Sequence, residues 1–342
     1  MKKALITGIT GQDGYFLTKL LLKKGYDIYG IVRRSSQNSI GNLQYLAEEE
    51  LESVNICWGD ITDNLFVDET IKNVQADEIY HLAAQSFVSF SFNNPRLTYD
   101  VNIGGTLNVA NSVMNYSPHS RTYFAATSEL YGKVQETPQK ETTPFYPRSP
   151  YGVSKLAGFW TMKNYRESYD LFMSNGILFN HESEMRGPEF VTRKISLGVA
   201  SIYHGLSENI ELGNLDSKRD WGYAEDYVHA MWLMLQHKKP DDFVVATGET
   251  HSVREFVEEA FKVAGIDIEW RGSGVKETGI DTRTKKPLVK INPQFFRPAE
   301  VDLLIGDYSK AKKELGWEPK VKFNKLVEIM VENDLKVIEK RV

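Results

Sequence analysis

The chain of 342 residues has very little cysteine, no long apolar run and no excess of positive charge. Its single cysteine, Cys57, excludes an internal disulfide and favours a reducing compartment. No segment approaches the roughly 18 consecutive apolar residues of a membrane helix, and the apolar run after Met1 is too short for a signal peptide. The net charge of -5 argues against a non-specific nucleic-acid binder. We therefore expect a cytoplasmic protein with neither a nucleic-acid partner nor a membrane anchor.

What the chain does contain is a regular alternation of short apolar runs and amphipathic segments. Buried strands are predicted at residues 3–7, 28–32, 54–58, 78–84, 121–126, 172–178 and 243–246. Helices are predicted at residues 15–24, 65–74, 97–116, 151–169, 253–264 and 323–339. Strand, glycine turn, helix and strand within about thirty residues form a βαβ unit, which requires a parallel sheet. The pattern predicts an α/β fold with a Rossmann-type, doubly wound parallel sheet, and residues 272–286 are predicted to be an irregular loop.

Three glycines lie between the first predicted strand and the first predicted helix. The segment Thr7-Gly-Ile-Thr-Gly-Gln-Asp-Gly14 has the spacing GxxGxxG. Glycines at such a turn let the backbone approach a pyrophosphate, whose charge the N-terminus of the helix stabilises. A simple tight turn is the alternative reading. The predicted dinucleotide-binding residues of this turn are Gly8, Thr10, Gly11, Gln12, Asp13 and Gly14.

The end of the second strand indicates which dinucleotide is bound. Arg33, Arg34 and Ser35 stand where an NAD site would offer a carboxylate to the ribose. Arginine and serine suit a 2′-phosphate instead, so we predict NADP, with a solvated basic loop as the alternative. Further cofactor contacts are predicted after the third and fourth strands, at Asp60, Ile61, Leu82, Ala83, Ala84, Gln85 and Ser86.

The candidate chemistry depends on an alcohol, a carboxylate, a tyrosine and a lysine. Tyr151 and Lys155 are four residues apart and share one helix face, so the ammonium can lower the pKa of the phenol. Such a tyrosine can act as the general base for an alcohol that is oxidised by hydride transfer, with Thr127 as a neighbouring donor. Glu129 has no use in that oxidation. Beside a newly formed ketone, however, its carboxylate could remove the acidic C–H proton and help to expel a β-hydroxyl as water. A helix cap or a structural salt bridge is the alternative role.

These residues resemble the extended branch of the short-chain dehydrogenase/reductase superfamily, and longer motifs resemble its GDP-mannose 4,6-dehydratase family. The similar segments span nearly the whole chain, at residues 127–129, 144–151, 175–183, 190–195, 219–222, 246–248 and 296–301. The resemblance implies catalytic roles for Thr127, Glu129, Tyr151 and Lys155. Ser128 occupies the position where related thymidine-linked glucose dehydratases carry an aspartate, so Glu129 would serve as both base and acid.

The resemblance also implies two domains. Residues 1–180, with a returning segment near 220–250, would form the NADP domain, and residues 181–342 would form mainly a smaller, partly interleaved α/β substrate domain. It implies cofactor contacts at Tyr99, Tyr151, Lys155, His181 and Arg186. It implies GDP-sugar contacts at Ser86, Asn180, Val191, Lys194, Arg219, Arg297 and Glu300. The chain departs from the family where Glu184 and Met185 replace the usual Pro-Arg before Arg186.

The activity that the resemblance implies is that of an NADP-dependent lyase without a metal. It would convert GDP-mannose to GDP-4-keto-6-deoxymannose for deoxysugar biosynthesis, as in the GDP-fucose pathway. A homo-oligomer is also implied, a dimer or tetramer with residues 33–39 near a subunit contact. Three alternatives stay open at this point: a dehydratase of another GDP-linked sugar such as a manno-heptose, a dehydratase that also reduces its product, and a non-catalytic NADP-binding regulator.

Overall fold

The computed structural model describes residues 1–37, 39–296, 299, 301 and 303–340. Two of the predicted substrate contacts, Arg297 and Glu300, therefore lie outside the described residues. No helix of the described ranges is both long and apolar enough to cross a membrane. In the same ranges, no group of three or more His, Cys, Asp and Glu side chains could hold a metal ion.

The strands and helices alternate along most of the chain. The strands are β1 Lys3–Thr7, β2 Asp27–Val32, β3 Val54–Trp58, β4 Glu78–His81, β5 Arg121–Thr127, β6 Met173–Leu178, β7 Asn180–Glu182, β8 Ile210–Leu212, β9 Lys218–Arg219, β10 Trp221–Tyr223, β11 Asp242–Val245, β12 His251–Ser252, β13 Ile268–Arg271, β14 Thr278–Asp281 and β15 Pro287–Ile291. The α-helices are α1 Gln12–Lys23, α2 Glu48–Glu52, α3 Asn64–Val74, α4 Val88–Asn93, α5 Pro95–Tyr99, α6 Gly105–Tyr116, α7 Pro150–Tyr169, α8 Val191–Tyr203, α9 Ala224–Gln236, α10 Val253–Val263, α11 Ser309–Leu315 and α12 Phe323–Glu339.

Seven parallel strands form the central sheet, in the order β11-β6-β5-β4-β1-β2-β3. Both faces of the sheet are covered: one core cluster contains residues of α1 and α9, and the other contains residues of α3, α6 and α7. This burial explains why the strands are uninterrupted apolar runs without polar alternation. The doubly wound α/β fold predicted from the sequence is confirmed.

A smaller layer lies beyond the carboxyl ends of these strands. Its sheet has the strand order β13-β14-β15-β8, and two short ladders pair β7 with β10 and β9 with β12. Buried side chains of α8, α10 and α12 belong to the same core cluster as those of α1 and α9, so the two layers share one core. The chain returns from this layer to the central one through α9 and β11.

Three sequence predictions need correction. The fourth strand ends at His81 rather than at residue 84, because the following backbone turns towards Thr7 and Asn102, which bind Ala83 N and Gln85 N. The helix predicted at 97–116 is interrupted by a π-helical turn, Asp100–Gly104, between α5 and α6. The loop predicted at 272–286 contains β14, whose Gly279 is buried against β13 and β15.

Candidate functional site

A cleft of about 770 Å³ opens between the two layers. One wall consists of residues that directly follow β4, β5 and β6, at the carboxyl end of the central sheet. The other wall consists of α8 and of segments around β8 to β10 and residues 294–296. In doubly wound folds this edge is where ligands bind, because the connections after the strands diverge there.

The glycine turn after β1 has the geometry needed to hold a diphosphate. Gly8 has a φ of +73°, and a Cβ on it would lie 2.7 Å from Ala83 N, so a larger residue would clash as well as being strained. Gly11 is the N-cap residue of α1 and offers no side-chain oxygen to the first N–H groups of the helix. The turn and the helix N-terminus therefore fit the diphosphate of a dinucleotide.

The segment after β4 is tied to the helix that carries the candidate base. Asn102 accepts a hydrogen bond from Gln85 N at 2.8 Å, and its amide donates to Ser154 Oγ at 2.9 Å. Among the described residues, the buried Gln85 Oε1 has no hydrogen-bond partner, which suits an acceptor for a ligand. Leu82, Ala84 and Ser86 line the cleft itself.

The other predicted cofactor contacts lie farther out. Arg33, Arg34 and Ser35 are exposed just beyond the carboxyl end of β2, and Ile61 is buried against Gly105 at the start of α6. Asp60 accepts a hydrogen bond from Thr62 N, and Thr62 shares a shallow groove with Tyr99. None of these side chains lines the cleft of the described chain, so they form an outer rim around the carboxyl ends of β2 and β3.

Thr127, Glu129 and Tyr151 meet on the sheet wall of the cleft. Thr127 is the last residue of β5, and its hydroxyl accepts a hydrogen bond from Glu129 N at 3.2 Å. The hydroxyl of Ser149 accepts from Gly152 N at 3.0 Å and caps α7, with Pro150 in the first turn. This cap places Tyr151 at the start of the helix, beside the end of β5. Glu129 and Tyr151 are each only 8% exposed.

Burial dominates the electrostatics of this wall. It raises the pKa of Tyr151; a hydrogen bond with Thr127 lowers that pKa, and the charge of Glu129 raises it. Burial also lowers the pKa of Lys155 to about 8. The Lys155 Nζ donates to Ala125 O at 2.7 Å, so the ammonium is anchored to β5, and the phenol's hydrogen-bond partner is Thr127. The expectation that Lys155 lowers the pKa of Tyr151 is therefore wrong for this structure, because burial raises that pKa above its ordinary value. Ser128, buried between Thr127 and Glu129, also lines the cleft.

The opposite wall presents cations and aromatic rings. Lys194, on α8, lies with its Nζ 3.3 Å from the centre of the Phe295 ring, and burial lowers its pKa. Arg219, on β9, is 7% exposed, and its guanidinium donates to Lys218 O at 2.9 Å. Val191 and Asn180 complete the predicted substrate contacts among the described residues of the cleft.

Arg186 occupies the corner between the two walls. It forms an ion pair with Glu182 at 3.1 Å and stacks 3.6 Å above the ring of Phe190. The preceding departure from the family pattern is accommodated locally: Met185 O accepts from Asn42 Nδ2, and the Glu184 carboxylate lies 3.5 Å from the Tyr223 hydroxyl. Burial raises the pKa of Glu184.

The aromatic residues of the cleft are not among the predicted site residues. Phe87 and Phe190 approach each other edge to face at 5.7 Å, and Trp221, Phe295 and Phe296 line the cleft near the cations. Their signal was present, because Phe87 directly follows Ser86 and Phe190 directly precedes Val191. Asn102 was also missed, since a single asparagine inside a helical pattern carries no distinguishing spacing.

Comparison with known proteins gives consistent matches. The family model described as GDP-mannose 4,6 dehydratase matches residues 5–330. A GDP-mannose 4,6 dehydratase of Drosophila melanogaster is 53% identical over 345 residues, which cover 99% of this chain and 87% of that protein. The Homo sapiens protein of that name is 52% identical over 98% of this chain and 92% of its own length. A GDP-mannose 4,6-dehydratase of Vibrio cholerae is 47% identical over 99% of this chain and 95% of its own length.

Solved structures share the fold at lower sequence identity. The UDP-glucose 4-epimerase of Thermotoga maritima superposes with a TM-score of 0.82 at 24% identity, covering 98% of this chain and 99% of that one. The dTDP-glucose 4,6-dehydratase of Bacillus anthracis, solved in complex with NAD, gives a TM-score of 0.80 at 22% identity, covering 99% of this chain and 98% of that one. Both likenesses extend over the central and the smaller layer.

Proposed function

The chain belongs to the GDP-mannose 4,6-dehydratase family, and we propose that it is an NADP-dependent hydro-lyase that converts GDP-mannose to GDP-4-keto-6-deoxymannose. The observation that carries this proposal is the position of Glu129. Its buried carboxylate lies two residues beyond the end of β5, close enough for its charge to act on the phenol of Tyr151. A plain dehydrogenase needs only the tyrosine, whereas elimination of water needs a second proton carrier at the same place.

The proposed sequence of proton transfers uses three side chains. Tyr151 takes the proton of the C4 hydroxyl, which Thr127 holds by a hydrogen bond. When bound, a nicotinamide would supply the oxidation at C4 and the later reduction at C6. Glu129 takes the C5 proton, made acidic by the C4 ketone, and passes it to the departing C6 hydroxyl. Tyr151 then returns its proton at C5, so that the only net loss is one water.

The cofactor site supports NADP over NAD. The fold and the nicotinamide-bound relatives favour a nicotinamide dinucleotide across the glycine turn. Arg33 and Arg34 place two exposed guanidinium groups at the carboxyl end of β2, where a 2′-phosphate would be held. We expect NADPH to bind at least about tenfold more tightly than NADH, on the basis of about 1.5–3 kcal/mol for a charge-assisted hydrogen bond. An Arg34→Ser substitution should remove most of that preference without changing NADH affinity.

The substrate side of the proposal depends on the opposite wall. Lys194 and Arg219 supply cations for a diphosphate, and Phe295 and Trp221 supply apolar surface for a base or sugar. We assign residues 1–180 and the returning segment near 220–250 to the cofactor, and residues 181–342 mainly to the GDP-sugar. We also propose a homo-oligomer, which light scattering on the purified protein would test.

The direct test is incubation of the purified, NADP-loaded protein with GDP-mannose, followed by mass spectrometry. The expected product is lighter than the substrate by one water. If folded protein with bound NADP leaves GDP-mannose unchanged, the proposed function is wrong. GDP-manno-heptose, tested in parallel under the same conditions, identifies a dehydratase with a different preferred sugar.

A further inference from the structure

The first turn of α1 is joined to the segment that crosses the cleft by a compact set of polar contacts. Gln12 Nε2 donates to His181 O at 3.1 Å, and Gln12 Oε1 accepts from Ser183 Oγ at 2.7 Å. The next residue, Asp13, lies with Oδ2 2.9 Å from His181 Nε2. We call these four residues, Gln12, Asp13, His181 and Ser183, the clasp. Gln12 and Asp13 lie about 170 positions before His181 and Ser183 in the chain, so the clasp joins the cofactor turn to β7 and the residue that follows it.

The two ring nitrogens of His181 fix its protonation state. Nδ1 lies 2.8 Å from Phe179 O, which can only accept a hydrogen bond, so this nitrogen carries a proton. Nε2 faces the carboxylate of Asp13, which also accepts a hydrogen bond from Gln12 Nε2 at 3.1 Å. With Asp13 ionised, both nitrogens donate, and His181 is an imidazolium paired with the carboxylate.

The direction of the pKa shifts agrees with this assignment. Burial works against the charge of His181, but the Asp13 carboxylate raises the pKa of the imidazole above its ordinary value overall. Burial likewise works against the charge of Asp13, yet His181 lowers its pKa. Other charged and titratable groups also act on the pair. The cation of Arg186, which pairs with Glu182, opposes the charge of His181 and favours that of Asp13. The charge of Asp13 also acts on Lys155 and Tyr151, and the neutral ring of Tyr227 is stacked 4.6 Å from the imidazole.

The position of the pair suggests what it does. Asp13 is an acidic residue in the first turn of the helix whose N-terminus fits a dinucleotide diphosphate, and it lines the cleft. An uncompensated carboxylate there would repel that anion, because two like charges at short range in a half-buried site interact strongly. The imidazolium of His181 cancels this repulsion. Its ring is 12% exposed and the Asp13 side chain 20%, so solvent screens the pair only in part.

We propose that Asp13 and His181 are a positioning ion pair: Asp13 binds β7 to the cofactor turn through His181, and His181 neutralises Asp13 so that the turn accepts an anionic dinucleotide. This deepens the role of the cofactor site and rests on the proposed binding of NADP. The pair also holds the segment that carries Asn180 and Arg186 against α1, so its effect extends to the corner between the two walls.

A charge-rescue series of variants tests the proposal. His181→Gln keeps a donor near Asp13 but removes the positive charge, so the dissociation constant of NADPH should rise about ten- to a hundredfold. The double variant Asp13→Asn/His181→Gln removes both charges and should recover most of the lost affinity. A His229→Gln variant, at a half-buried histidine of α9 that does not line the cleft, is the matched control and should bind as the unmodified protein does.

The pH dependence gives a second readout. In the unmodified protein, NADPH affinity should fall as the pH rises through the raised pKa of His181, because the neutral ring no longer pairs with Asp13 and leaves its charge only to the more distant cations Arg186 and Lys155. The double variant should lack this step. If His181→Gln and the double variant bind equally poorly, or if His181→Gln binds normally, charge compensation is wrong.

The clasp can also be tested without any cofactor. Nitrogen NMR of the apo protein should show both His181 ring nitrogens protonated at neutral pH, and Asp13→Asn should lower the pKa of this histidine. A neutral ring at neutral pH would overturn the ion pair. If NADPH binds neither the unmodified protein nor any variant, the proposed function is wrong, but the titration of His181 still tests the ion pair of the clasp. Should His181→Gln not fold, His181→Asn, which keeps a donor towards Phe179 O, replaces it.

Discussion

The two walls of the cleft are built in different ways. In the sheet wall, Thr127 and Glu129 lie at the end of the central strand β5, and Tyr151 and Lys155 lie near the capped start of the long helix α7. Hydrogen bonds of Thr127 with Glu129 N, of the cap residue Ser149 with Gly152 N and of Lys155 Nζ with Ala125 O hold them in place. In the opposite wall, Lys194 lies on α8 and Arg219 on the two-residue strand β9. The aromatic rings of this wall come from β10, from the residue before α8 and from residues 295–296. Rigid placement suits bond-making steps, and a wall of separate segments suits recognition of a large ligand. We therefore expect substitutions in the sheet wall to change kcat and those in the opposite wall to change KM.

The largest expected effect is that of Tyr151→Phe, which removes the proton acceptor and keeps the ring. Loss of general base catalysis should lower kcat by about 10²–10⁴-fold. Dissociation constants for NADPH and GDP-mannose, measured by titration calorimetry, should stay within about threefold because binding depends on other groups. Tyr203→Phe, at an exposed tyrosine of α8, is the control. A large rise in KM at unchanged kcat would break the distinction between the walls.

Glu129→Gln should separate oxidation from elimination. The amide cannot carry a proton, so the release of water should slow by about 10²–10³-fold. C4 oxidation should continue, and NADPH absorbance in a single turnover should rise and persist. Ser128→Ala is the matched control and should lower kcat less than tenfold if Glu129 alone carries both proton steps. Dehydration by Glu129→Gln at the wild-type rate would remove Glu129 from the mechanism.

Lys155→Met should stabilise the folded protein. Because burial lowers the pKa of Lys155 to about 8, charging this amine costs folding free energy at every pH below that value. The ordinary pKa of a lysine is 10.5, and each pKa unit corresponds to about 1.4 kcal/mol, so the cost of burying the charged amine at pH 7 is about 3 kcal/mol. The hydrogen bond to Ala125 O, which the substitution removes, offsets about 1 kcal/mol of that cost. Urea unfolding should show a net gain of about 2 kcal/mol at pH 7 that shrinks as the pH rises above 8. A loss of stability at pH 7 would contradict this account of the sheet wall.

The smallest effect is expected on the opposite wall. Lys194→Met keeps an apolar stem near Phe295 and removes one cation, so the KM for GDP-mannose should rise about tenfold with kcat within about twofold. Lys290→Met, at an exposed position of β15, is the control for loss of a charge. Equal losses in kcat and kcat/KM for Lys194→Met would show that this wall takes part in the transition state and would erase the contrast.

The central sheet could be predicted because its strands are short apolar runs buried on both faces. Residues 3–7 and 54–58 are strands with the predicted bounds. The π-helical turn at Asp100–Gly104 was missed because helical periodicity does not register contacts with distant residues, such as those of Asn102 with Gln85 and Ser154. β14 was missed because four residues of mixed polarity gain their pairing from β13 and β15.

The site was predictable where a motif is local. Thr127 and Glu129 are two positions apart in sequence, Tyr151 and Lys155 share a helix face, and the structure brings all four to one wall. The partners of that wall were not predictable. Lys155 is anchored to Ala125 O, thirty residues away, and Asp13 meets His181 across 168 positions. Such pairings arise from the crossing of chain segments, which composition and spacing do not encode.

The most direct test of the dehydratase cycle follows one hydrogen atom. GDP-mannose carrying deuterium at C4 is incubated with the NADP-loaded protein, and the product is analysed by mass spectrometry and NMR. The account predicts that one water is lost and that the deuterium is retained at C6, because the hydride taken from C4 returns within the same cleft. Deuterium released to solvent, or a product that has lost no water, would contradict it.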